Sequence, residues 1–185
     1  MLEAQSLWLA PWSREGNPDG LRWFGFQEHH DRKPIRDLTT EVYLGFARRK
    51  RVVISSWIPW PAWPVIEVFE TEDASLLFTT YCRSWFRTWE VVDAENHLVG
   101  CLRPGPGSSH ATKKLPGIRI NDSSIQSIAW MERPAAPSTG RILGPAGKEL
   151  GFLAPSDQGT ELRFAASLQG DPFAKMLILA ACLQF

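Results

Sequence analysis

The chain has 185 residues, and its 20 Lys and Arg balance 20 Asp and Glu. That length fits one domain that buries roughly 70% of its unfolded surface, so neither a disulfide framework nor a structural metal is needed to hold it. At 44% hydrophobic and 22% charged residues it is globular rather than disordered, and a formal charge of zero argues against a bulk polyanion binder, so no nucleic-acid partner is expected.

Nine Trp, 14 Gly and 14 Pro point to an all-β chain, because wide rings suit pleated surfaces while Gly and Pro break helices. Residues 1–20 end in Asn17-Pro18-Asp19-Gly20, a dense turn signal, and read as a leader ahead of a domain over 21–185. The leader lacks the basic and apolar regions of a secretory signal, and no 18 apolar residues run together to make a transmembrane span. Cys82, Cys101 and Cys182 are too widely spaced for a zinc motif and read as small apolar side chains. The expectation is a reduced, cytoplasmic chain, at most peripheral at a membrane, with no cofactor.

In chain order, strands are expected over about 21–28, 40–48, 50–55, 65–70, 75–80, 84–93, 98–103, 117–120, 126–132, 139–144, 149–154 and 160–167. The clearest alternation is Trp85, Arg87, Trp89 and Val91 within the run 84–93. Val91–Leu102 lines up without gaps on Ile142–Leu153, two stretches that each read as a hairpin with Asn96 or Gly147 in a left-handed turn position. The tail differs. Asp171 suits an N-cap and Pro172 a first helical residue, and Phe173–Phe185 is apolar on every face apart from Lys175 and Gln184. Such a helix must be buried all round. Twelve strands about 4.8 Å apart and tilted about 40° close into a barrel of radius about 12 Å, too wide for strand side chains alone to fill. A helix about 10 Å across fills it. The fold expected is therefore an all-β, closed barrel of about twelve strands around one hydrophobic C-terminal α-helix.

The two turn-and-glycine hairpins, and above all the tail from Asp171 through Lys175 to the small-small-Cys element Ala180-Ala181-Cys182, resemble the tubby C-terminal-like superfamily, in its phospholipid scramblase and LURP-one-related branches. The resemblance spans about 21–185 and implies the same barrel around a C-terminal helix. It also implies a non-enzymatic protein that binds a membrane surface through anionic phospholipid, or an interaction module with a protein partner. Scramblases carry an acidic calcium segment before the tail helix. At the matching positions this chain has Gln158, Thr160 and Gln169, and only Asp157, Glu161 and Asp171 remain as calcium candidates. Three scattered carboxylates fall short of the six to eight oxygens calcium takes, so no metal is expected.

Among chemistry-bearing residues, Glu28-His29-His30-Asp31 is the densest cluster, but adjacent strand residues face opposite ways and cannot chelate one ion. His97 and His110 fall in turns, and residues 105–114 lack the Gly-Lys-Ser/Thr ending of a phosphate loop. No serine elbow, zinc signature or dinucleotide fingerprint marks an enzyme. The alternative to membrane binding is a small-molecule site or hydrolase cleft at one barrel end. Arg48, Arg49, Lys50 and Arg51 form a basic run expected at a hairpin tip, followed by Trp57, Trp60 and Trp63 among three prolines. Trp favours the headgroup level and basic residues favour anionic lipid, so these seven are the candidate membrane-binding residues. A second basic stretch, residues 96–121, holds Arg103, Lys113, Lys114 and Arg119 and no acid.

Overall fold

The computed structural model describes residues 1–15, 27–53, 64–71, 75–82, 88–106, 116–133, 139–156 and 158–184. Thirteen strands lie in chain order: β1 (Ser6–Leu9), β2 (Ser13–Glu15), β3 (Gln27–Asp37), β4 (Tyr43–Val53), β5 (Val65–Glu70), β6 (Ser75–Cys82), β7 (Trp89–Asp93), β8 (Leu98–Pro106), β9 (Pro116–Asp122), β10 (Ser127–Glu132), β11 (Gly140–Leu143), β12 (Glu149–Ser156) and β13 (Gly159–Phe164). The helix α1 follows at Pro172–Cys182. From β3 to β13 each strand pairs antiparallel with the next. β1 closes the ring by pairing with β13 on one side and β3 on the other. β2 continues along β3 after the Ala10-Pro11-Trp12 break, so β1 and β2 share one place and the closed barrel has twelve.

This corrects the reading of residues 1–20 as a leader, since β1 lies within them and completes the wall. Its Leu7 and Leu9 are fully buried. Two other expectations change. Of the strand placed at 21–28, residues 21–26 lie outside the described residues, and 27–28 begin β3, which runs on to Asp37 because its inward row, Lys33 and Ile35, is buried although the sequence there is dense in charge. The strands placed at 40–48 and 50–55 are one strand, β4, so the basic run sits within a strand and not at a hairpin tip. Trp85 and Arg87 lie outside the described residues.

The hairpin reading holds in detail. In the β7–β8 turn the Asp93 amide donates to the His97 carbonyl at 3.0 Å and the Asn96 amide to the Asp93 carbonyl at 3.1 Å. The β11–β12 turn repeats this at Gly144, Gly147 and Lys148. Asn96 and Gly147 have φ of 66° and 76°, the left-handed position that closes the turn before the strand returns. The β9–β10 turn follows the same pattern from Asp122 to Gln126.

Every residue of α1 from Ala174 to Cys182, and Leu183 beyond it, is buried. Its side chains and last carbonyls meet opposite walls: Cys182 Sγ meets Met131 Sδ on β10 at 3.9 Å, and the Leu183 carbonyl accepts from Arg49 on β4 at 3.3 Å. Gly100 on β8 lets the wall come close, since a Cβ there would stand 2.2 Å from the Asn121 carbonyl oxygen and 3.0 Å from the Leu177 methyls. The helix is the core of the barrel. Asp171 caps it by accepting from the Ala174 amide at 2.9 Å. Lys175, 2% exposed, donates to the carbonyls of Leu2 at 2.8 Å and Ala4 at 3.1 Å. No helix among the described residues is long and apolar enough to cross a membrane.

Candidate functional site

Because β4 is a strand, its basic run alternates between the two faces of the wall. Arg48 and Lys50 point outward and converge on Glu67 of β5, each at 2.6 Å. Burial opposes ionisation of Glu67, but hydrogen bonds from Lys50 and Arg48 outweigh it and hold the carboxyl below its ordinary range. Arg48 also lies over the Phe69 ring, which stacks on Phe46. Two cations around one carboxylate leave a net single charge on this part of the wall. Arg49 points inward, donates to Leu183 at the helix C-terminus and covers the Trp12 ring with its guanidinium carbon 4.0 Å from the centroid. A cation there meets the negative end of the helix dipole. Arg51 lies on β4 opposite His29 in the ladder. Trp57, Trp60 and Trp63 lie outside the described residues.

Of the calcium candidates, Glu161 stands on β13 in an ion pair with Arg163, and the Asp171 carboxylate is the helix cap. Asp157 lies outside the described residues. Among the described residues the one group with three metal-capable side chains is instead Asp93, Glu95 and His97, whose ligand atoms lie within 4.8 Å of one another. Amides of His97 and Glu95 bond to Asp93 and keep its carboxyl below the usual range, and these contacts build the turn. The spacing Asp-x-Glu-x-His is readable in the sequence, at the turn where His97 was expected.

The second basic stretch gains most from the fold. The β8–β9 register sets Arg103 directly opposite Arg119, both exposed. Neither has an anionic partner among the described residues. β4 and β8 run in the same direction, so their C-terminal ends share one barrel end. In the chain, residues 54–63 follow β4 and residues 107–115, with Lys113 and Lys114, follow β8. At the opposite, turn-bearing end an open cleft of about 380 Å³ is lined by Gln5, Ser6, Leu38, Thr39, Arg163 and Phe164. Its hydroxyls face each other, Ser6 Oγ to Thr39 Oγ1 at 3.3 Å, and its lining holds no histidine or carboxylate to act as a base.

Comparison adds no relative. No family model, curated protein or solved structure matches the chain.

Proposed function

We propose that the protein is a non-catalytic barrel that docks on an anionic phospholipid surface by the end to which β4 and β8 run. The observation that carries this reading is the exposed pair of Arg103 and Arg119. Like charges directly opposite on neighbouring strands destabilise a sheet, and an anion between them turns that repulsion into attraction. The helix occupies the barrel interior, which leaves the outer wall and the barrel ends as contact surfaces. The cations of this surface differ from those first expected, since they are Arg103 and Arg119 with Lys113 and Lys114, while Arg48 and Lys50 are engaged with Glu67. The three tryptophans of 54–63 follow a strand that ends on the same side and supply rings suited to the headgroup level.

Four cations near an anionic surface contribute about 4 kcal/mol before screening, which alone gives a dissociation constant of about 1 mM. Ring insertion is then required for useful affinity. Co-sedimentation with vesicles of phosphatidylcholine, with and without phosphatidylserine, tests this. Binding is expected only with phosphatidylserine, falls as salt rises, and is lost in Arg103→Glu/Arg119→Glu and reduced in Trp60→Ala. Equal binding to neutral vesicles, or wild-type binding by the double variant, overturns the reading.

A further inference from the structure

Inside the wall, three hydrogen-bond donor groups, from β3, β4 and the break between β1 and β2, meet beyond the end of the helix. Lys33 lies on the inward row of β3, opposite the buried Ala47. It is 6% exposed, and its ammonium has no hydrogen bond or ion pair among the described residues. The contact it makes is with the Trp12 ring, 5.3 Å from nitrogen to centroid. Trp12 sits at the break between β1 and β2, and its indole N–H is buried without an acceptor among the described residues. Arg49 covers the same ring at 4.0 Å. One indole therefore has two cations against it and an unsatisfied donor of its own. Buried donors are almost always satisfied, and a buried ammonium more strictly than most. A cluster of donors without enough acceptors is what a bound acceptor leaves behind when it is removed.

Charge selects the acceptor. Among the described side chains, Lys33 and Arg49 bring two positive charges to the Trp12 ring, and of these Lys33 has no ion pair among the described residues. Cys182 adds none, because burial pushes its thiol up and keeps it neutral. The one charge left to answer is the Lys33 ammonium, which a monoanion neutralises and a dianion overshoots at a higher desolvation cost. Ile66, fully buried and opposite Arg49 on β5, and the Trp12 ring offer an apolar wall beside the donors. We propose that the end of the barrel beyond the helix C-terminus, between Lys33, Trp12 and Arg49, is a binding site for a monocarboxylate with a hydrocarbon tail. Its carboxylate accepts from the Lys33 ammonium and the Trp12 indole. This site uses residues other than those of the membrane surface proposed above.

Thermal melting and calorimetric titration of the full chain test the proposal, with acetate, butyrate, octanoate and inorganic phosphate as probes at constant ionic strength. A ligand that binds only the folded chain raises Tm by mass action. Octanoate is expected to raise Tm and phosphate not to. Lys33→Met should fold and bind octanoate at least tenfold more weakly, and Trp12→Phe several-fold more weakly. Lys148→Met, exposed at the turn-bearing end, should bind as wild type. If Lys33→Met does not fold, Trp12→Phe decides alone. The proposal is overturned if no carboxylate moves Tm, which would mean that water satisfies the donors. It is also overturned if phosphate matches octanoate, or if the folded variants bind octanoate like wild type.

Discussion

Lys33 makes the cost of a buried charge measurable. Burial pushes its pKa down from 10.5 to about 8. Between those values the unfolded chain binds the proton more fully than the folded one, so stability rises with pH and the penalty stands in full below pH 8. Cys182 works the other way, since its buried thiol stays protonated above the ordinary 9.0 while the unfolded chain loses the proton. The clean window is therefore pH 8 to 9. There Lys33 contributes a rise of about 1 kcal/mol. Arg49 is the other charged group acting on it, and it too pushes the pKa down. Chemical denaturation of wild type and Lys33→Met across that window checks this. The variant is expected to be more stable at pH 7, because replacing an unpaired buried charge by an apolar chain of similar volume removes desolvation cost, and its curve should lose the rise. An unchanged pH profile in the variant would show that another group titrates there.

At the scale of elements, α1 is explained by its ends as much as by its faces. Asp171 satisfies the first turn, Lys175 ties the helix to Leu2 and Ala4, and Arg49 satisfies the last turn from the wall. Ile178, fully buried, is the place to test whether the helix is core. Ile178→Asp puts a carboxylate into the apolar core and should cost several kcal/mol, leaving insoluble or unfolded protein. A soluble variant that melts like wild type would put the helix outside the barrel. This helix was legible from its cap, its proline and its all-round apolar pattern, and the turns at Asn96 and Gly147 from their residue types. β3 and β4 were not. Period-two reading takes a run such as Glu28-His29-His30-Asp31-Arg32-Lys33 as solvated, because inward charge is the exception it cannot anticipate. The same blindness hid Lys33 and Trp12 as site residues. The opposition of Arg103 and Arg119 needed the register, which residue types alone do not set.

At the scale of the whole molecule, closure rests on a strand of four residues. β1 pairs with β13 from Ser6 to Leu9 and with β3 from Leu7 to Leu9, so it is the keystone between the last strand and the first long one. The segment before it supplies the two carbonyls that receive Lys175. Removing residues 1–9 does three things together. It exposes the edges of β13 and β3, it opens the core at Leu7 and Leu9, and it leaves a nearly buried ammonium without acceptors. Open edges are templates for pairing with another chain. Each lost leucine costs about 2–5 kcal/mol by the measure of large-to-small core changes, against a total stability of about 5–15 kcal/mol for a domain. The shortened chain should therefore elute from size-exclusion chromatography as oligomers or aggregate, and lose its cooperative melting transition. A synthetic peptide of residues 1–12 added during refolding should restore the monomeric complex and its transition, because the slot between β13 and β3 is specific in register. A shortened chain that stays monomeric and melts at the wild-type temperature would mean that β13 and β3 close the barrel without β1.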